Sequence, residues 1–248
     1  MKKLLNSGFA LCAALFLTSS AAPAQKPTAR PAPKIAQKKG ATQTPQVKPT
    51  PAPTPTPAPT PTPTPAPEPF DSATVEQMAA QCVKLETEAG TIEIKLLPEG
   101  APATVRNFLN LAATGAFDTT TFSRVVKNFV IQGGNLSTRA EMTPALAARS
   151  RRTIPDEPNS VKHVRGVVSM ARPDAANSAT TNFFILVGDA SHLDKTFTAF
   201  GRVTKGMEAV DAINKMAVAG DAPLKPVRIG SAVVFKCAAA STAAPPAQ

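Results

Sequence analysis

From Pro49 to Pro69 the chain reads PTPAPTPTPAPTPTPTPAPEP, with proline at nearly every second position. Proline fixes its own φ, lacks an N–H and pushes the residue before it toward extended conformations, so this stretch can join neither a helix nor a sheet interior. It reads as a solvated polyproline II spacer, spanning up to roughly 65 Å at ~3.1 Å per residue. Any fold must be built by the residues beyond it. Ten of the twelve Phe lie from position 70 onward, which agrees. The formal charge of +10 divides as +7 over residues 1–69 and +3 over residues 70–248. The later part mixes both signs, which argues against nucleic acid as a partner. The basic early part suits weak adhesion to anionic surfaces.

Before the spacer, Lys2 and Lys3 precede an apolar run from Leu4 to Leu17, interrupted at Asn6 and Ser7, and Ala22-Pro23-Ala24 follows. This is the pattern of a secretory signal peptide with a small-residue cleavage site. The run is too short for a comfortable membrane span. Cys12 lies inside it after Leu11, which does not suit a lipoprotein site. The expected organisation is a signal peptide at 1–24, a Pro-rich linker at 25–69, a folded domain at 70–238 and a tail at 239–248. The expected location is outside the cytoplasm, most simply the periplasm, with secretion or retention by an uncleaved signal as alternatives.

In the folded part, residues 82–88 and 91–97 read as a hairpin turning at Ala89-Gly90. Ile92, Ile94 and Leu96 alternate with Glu93 and Lys95, the period of a half-buried strand. Pro102 sits in a first helical turn, Val105, Phe108, Leu109 and Ala112 form one apolar stripe, and Gly115 can stop that helix. Further strands are expected at 122–126, 129–133, 166–171, 182–187, 198–203 and 227–236, with a second helix at about 206–215. Eight strands and two helices suggest a mainly β fold: a closed eight-stranded antiparallel barrel capped by two α-helices, since closure removes edge strands. An open sandwich fits the same pattern.

The run FSRVVKNFVIQGGN at 122–135, followed in order by HVRGVVSMAR (163–172), SATTNFFI (178–185) and HLDKTFTAFGRV (192–203), resembles the cyclophilin-type peptidyl-prolyl cis-trans isomerases over about residues 82–236. The resemblance implies a barrel capped by two helices and an enzyme that rotates X–Pro bonds. It implies Arg124 as catalytic residue and Phe129, Val130, Phe184 and Leu193 as walls of a proline pocket. Gln132, Asn182 and the backbone of Ala171 and Arg172 would bind the substrate main chain. Phe197 stands where many relatives have His or another aromatic, and His192, a rim residue, where some eukaryotic relatives have Trp. Asn182 is shorter than the usual Gln. Phe183 should face the core, opposite to Phe184.

The residue types suit that chemistry. No bond is made or broken, so no metal or other cofactor is expected, and His163 and His192 without nearby Cys make a poor metal site. Arginine is always charged and presents several donors in a fixed fork. The implied partners are proline-containing segments of unfolded or partly folded exported proteins, engaged by a monomer with no stable membrane span once the signal is cleaved. A binding module that keeps the groove without catalysis is the alternative, and the presence of Arg124 favours the enzyme. The stretch Arg149-Ser150-Arg151-Arg152 is expected in an exposed loop, within a segment, 136–160, that the resemblance leaves least constrained.

The chain ends lie close together in the resembled fold, so Cys82 and Cys237 are candidates for a disulfide in an oxidising compartment. Alternation opposes it: with Val83 and Leu85 inward Cys82 faces out, and with Val233 and Phe235 inward Cys237 faces in. A bulge at Gly230 would restore agreement. Two free thiols are the alternative.

Overall fold

The alternation at the first hairpin carries through to the structure: Val83, Leu85, Ile92, Ile94 and Leu96 are buried, while Lys84, Glu93 and Lys95 point away. The computed structural model describes residues 66–238. The expected signal peptide, most of the linker and the tail lie outside the described residues. In chain order the elements are α1 (Val75–Ala79), β1 (Gln81–Thr87), β2 (Gly90–Leu96), α2 (Pro102–Ala113), β3 (Arg124–Val126), β4 (Val130–Gly133), α3 (Pro144–Arg149), β5 (Val167–Met170), β6 (Phe183–Leu186), β7 (Ala199–Lys205), α4 (Met207–Asn214), β8 (Val218–Ala219), β9 (Ala222–Pro223) and β10 (Ile229–Lys236).

Eight strands pair antiparallel in the order β10-β1-β2-β7-β5-β6-β4-β3, and β8 with β9 makes a separate small hairpin. The expected closed barrel is not formed. The sheet is strongly curled but open between its edge strands, β3 and β10. The reason lies in the edge itself, because β3 is only three residues long. The residues before β3 meet the start of β10 and the residues before it through a bridge from Thr121 to Arg228 and through scattered backbone bonds, such as Thr119 N–H to the Ile229 carbonyl at 2.8 Å and Phe122 N–H to the Val227 carbonyl at 2.9 Å.

The curl encloses the main core. Phe108 of α2 packs its ring 5.1 Å from Phe117, 5.3 Å from Phe183 and 4.9 Å from Phe200, all fully buried. The stripe Val105, Phe108, Leu109 and Ala112 is the face α2 buries, and Val210 and Ile213 do the same for α4. Pro102 opens α2 but Ala101 offers no capping side chain. Glu157 caps it instead, accepting from the N–H groups of Ala103 (2.9 Å) and Thr104 (2.8 Å), where an anion also complements the helix dipole. Gly115, with φ +66°, ends the helix as expected.

Two expectations on the periphery need correction. Arg149 is not in an exposed loop: it ends α3, a helix begun by Thr143 and Pro144, and its side chain is only 11% exposed. Its Nε donates to Glu68 at 2.7 Å and its Nη2 to Asn107 at 2.7 Å, which offsets part of the cost of leaving water, while Nη1 is buried with no partner among the described residues. Arg151 and Arg152 do lie exposed.

The second correction concerns β10. Its register against β1 skips Gly230: Glu86 faces Ser231 and Thr87 faces Ile229. After this bulge Ala232 is buried and Val233 is 43% exposed, so Val233 faces outward, not inward. Cys82 pairs with Phe235 and the Cys237 N–H donates to the Ala80 carbonyl. Both cysteines therefore lie on one face and are joined in a disulfide, with Cα atoms 5.1 Å apart.

Candidate active site

The sheet has a second, outer face. Period-two alternation sends Ile131, Phe183, Ile185 and Phe200 into the main core. Their neighbours Val130, Phe184, Leu186 and Ala199 join Val167 and Leu193 in a separate cluster, against which Phe129, Ala171 and Phe197 pack. Cross-strand register lines up the polar members: Arg124 faces Gln132, Gln132 faces Phe184 and Phe184 faces Ser169.

Nine of the eleven expected site residues line one cavity of about 150 Å³: Arg124, Phe129, Val130, Gln132, Ala171, Arg172, Phe184, Leu193 and Phe197. Pockets for drug-sized ligands run to roughly 300–1,000 Å³, so this one suits a single apolar ring with a peptide lying across its mouth. Phe184 and Phe197 meet edge-on at 6.1 Å and form adjoining walls. Asn182 and His192 are not in the lining. Asn182 is half-buried, and its carbonyl accepts the Ala171 N–H at 3.0 Å, so that N–H is not open to a substrate. His192 is exposed and lies 5.6 Å from the Phe129 ring, outside the pocket wall.

Sequence reasoning assigned Arg172 through its backbone, but its side chain also forms part of the pocket. The guanidinium lies 5.1 Å from the Phe197 ring centre, a cation–π distance. Its Nε is 3.3 Å from Asp156, and Nη1 donates to the carbonyls of Pro173 (3.0 Å) and Asp174 (3.2 Å). Its donors are engaged within the protein. Arg124 differs: Nε (3.0 Å) and Nη2 (2.9 Å) both reach one oxygen of Asp221, and both side chains are about half exposed, at 44% and 52%.

Leu193 and Phe197 stand on an irregular segment that begins with a 3-10 turn at Ser191–Leu193. Asp194 pins it, accepting from the His163 backbone N–H (2.8 Å) and from Lys162 Nζ (3.0 Å). These two bonds, the backbone one foremost, hold the Asp194 carboxyl down at about 2. Burial lowers the pKa of His163 despite the carboxylate beside it, favouring the neutral ring. His163 Nε2 lies 3.1 Å from Ser169 Oγ, which also reaches the Thr198 carbonyl at 2.7 Å. Asp156, Asp194 and Asp221 escaped sequence reasoning because spacing carries no trace of them: Asp221 is 97 positions from Arg124.

The arrangement offers an apolar socket, a half-exposed guanidinium at its edge and Gln132 beside it. A main chain could be held while its ring is buried. Among the described residues no group of three or more His, Cys, Asp or Glu side chains is placed to hold a metal ion, and no helix is long and apolar enough to cross a membrane.

Comparisons with known proteins agree with one another. Residues 82–234 match the family described as cyclophilin type peptidyl-prolyl cis-trans isomerase/CLD. Peptidyl-prolyl cis-trans isomerase A of Dickeya dadantii is 35% identical over 164 residues, covering 62% of this chain and 84% of that protein. A peptidyl-prolyl cis-trans isomerase of Streptomyces antibioticus is 36% identical over 166 residues, covering 62% of this chain and 98% of its own length. Among solved structures, a cyclophilin-type isomerase of Cryptosporidium parvum shares the fold with a TM-score of 0.57 at 24% identity, over 64% of this chain and 99% of that one. The same protein, solved in the presence of the dipeptide Ala-Pro, matches with a TM-score of 0.56 at 25% identity, over 63% of this chain and 99% of that one.

Proposed function

Because the chain belongs to the cyclophilin-type peptidyl-prolyl cis-trans isomerase family, we propose that it rotates X–Pro bonds in exported proteins as they fold, with Arg124 as the donor that stabilises the twisted amide. Isomerase activity is what its relatives are named for, and the chain is an enzyme of that class. The barrier to rotation comes from amide resonance, roughly 18–20 kcal/mol, and uncatalysed exchange takes ~10–100 s. Reaching milliseconds requires lowering it by roughly 5–6 kcal/mol, at ~1.4 kcal/mol per factor of ten.

Two effects supply this. In the twisted amide the prolyl nitrogen becomes pyramidal and gains a lone pair. A guanidinium aimed at that nitrogen stabilises the twisted state and not the planar one. The walls of Phe129, Phe184, Leu193 and Phe197 hold the ring while Gln132, the Ala171 carbonyl and the backbone of Arg172 hold the chain on either side, so only the C–N bond turns. One observation carries the reading: Arg124 lies in the lining of the same small apolar pocket as these rings. A relative solved with Ala-Pro supports a proline-containing peptide as ligand.

The exported setting rests on the N-terminal pattern of charge, apolar run and small residues. A disulfide between Cys82 and Cys237 supports an oxidising compartment. The test is a protease-free isomerisation assay on proline tetrapeptides with the purified protein. Turnover far above the uncatalysed rate is expected, and exchange at the uncatalysed rate would overturn the reading.

A further inference from the structure

We infer that Asp221 is a positioning residue for Arg124: its carboxylate holds the guanidinium so that the remaining donors face the pocket. The inference rests on the isomerase reading of Arg124 and adds a residue to it. Arg124 sits on β3, an edge strand of three residues, with its side chain 44% exposed. A long side chain so placed samples many rotamers, and ordering it at each turnover costs free energy.

The structure provides one group that orders it. Asp221 Oδ2 accepts from Nε at 3.0 Å and lies 2.9 Å from Nη2, along one edge of the guanidinium. Among the described residues no acceptor engages Nη1, and Arg124 is one of the residues lining the pocket. The carboxylate is itself fixed. Asp221 occupies the turn between β8 and β9, where Gly220 takes φ +61°, a left-handed conformation suited to glycine. Its own carbonyl accepts the Val125 N–H at 2.8 Å. The residue therefore grips β3 twice, by backbone at Val125 and by side chain at Arg124. That double attachment ties the small hairpin, which lies outside the main sheet, to the edge of the pocket.

The geometry also makes the role separable from plain electrostatics. A negative charge beside a catalytic cation weakens its field, so a carboxylate acting only through charge would depress activity, and its removal would raise it. A carboxylate acting by position would do the opposite, and an uncharged acceptor of the same shape would replace it.

The experiment uses the purified protein, Asp221→Ala and Asp221→Asn, with steady-state isomerisation of a proline tetrapeptide and the ¹H–¹⁵N resonance of Arg124 Nε, assigned by its loss in Arg124→Lys. In Asp221→Ala we expect kcat to fall roughly three- to tenfold, the effect of freeing one long side chain, with KM changed less than about twofold. The Nε–H signal should broaden or vanish through faster exchange with water. Asp221→Asn should recover most of both. Unchanged or increased kcat in Asp221→Ala, or an Nε–H signal as sharp as in the wild type, would overturn the positioning role. Failure of the isomerase reading looks different: the wild type itself would show no turnover while its Nε–H signal stayed sharp and Asp221-dependent.

Discussion

Replacing Arg124 by Ala separates catalysis from stability, and the structure sets both magnitudes. Removing one donor aimed at charge that develops in a transition state costs about 10²–10³ in kcat, or ~2.7–4 kcal/mol. That is roughly half to three-quarters of the ~5–6 kcal/mol the reaction needs, leaving the apolar walls and the main-chain contacts to supply the remainder. Arg172 cannot substitute, because Asp156 and the carbonyls of Pro173 and Asp174 engage its donors. Stability should hardly change. The Arg124–Asp221 pair is about half exposed on both sides, and such pairs contribute ~0–1 kcal/mol. The buried residue of β3 is its neighbour Val125, which the substitution leaves in place. A loss of that size moves the melting temperature by at most ~2–4 °C in a domain of this length. Arg124→Lys, which keeps the charge but loses the fork, should fall between. The assay is protease-free isomerisation of a proline tetrapeptide over a substrate series, with thermal melts of the same preparations. An Arg124→Ala protein that keeps more than about half the wild-type kcat would refute the assigned role.

The neighbours Phe183 and Phe184 should behave as opposites. Phe183→Ala empties the main core and should cost ~3–5 kcal/mol in denaturant melts, whereas Phe184→Ala should mainly raise KM; the reverse pattern would contradict the assignment of faces. Cys237→Ser should destabilise by up to ~5 kcal/mol, the chain-entropy figure for joining residues 155 positions apart, and alkylation of the unreduced protein should find no free thiol at Cys82 or Cys237. Turnover should be flat from about pH 6 to pH 9, since arginine stays protonated and burial favours the neutral ring of His163. A sigmoidal rise or fall of turnover within that window would refute this. Stability should fall on acidification in two stages. The lowered pKa of His163 means the unfolded chain takes up its proton first, so stability declines below about pH 6.5. The Asp194 carboxyl, lowered to about 2, adds stability above its unfolded value of 3.8 and loses it as the pH falls from there toward 2. Urea melts across this range would check both, and a midpoint unchanged between pH 7 and pH 3 would refute them.

The sequence by itself determined the elements that local rules govern. Alternation at Ile92, Ile94 and Leu96, the stripe from Val105 to Ala112 and the stop at Gly115 are properties of a few adjacent residues, and each appears where it was read. The order of four motifs identified the family and pointed to eleven site residues, nine of which line one cavity, because the spacing of those on β4 and β6 is set by the period of a strand. Short elements were missed for the same reason: α3 and the β8–β9 hairpin are too brief to show a period. Only the tertiary structure decided the rest. Whether the curled sheet closes depends on how β3 meets β10, and the side to which β10 turns its residues depends on a one-residue skip at Gly230. The carboxylates that complete the site and the helix behind it are likewise tertiary. Glu157 caps α2, Asp194 pins the segment bearing Leu193 and Phe197, and Asp221 holds Arg124. Each comes from a distant stretch of chain, and an isolated Asp or Glu looks the same in sequence whether it ends up in solvent or against a helix end or guanidinium. Its role comes from the charge or donor placed opposite it, and that placement exists only after the chain has folded.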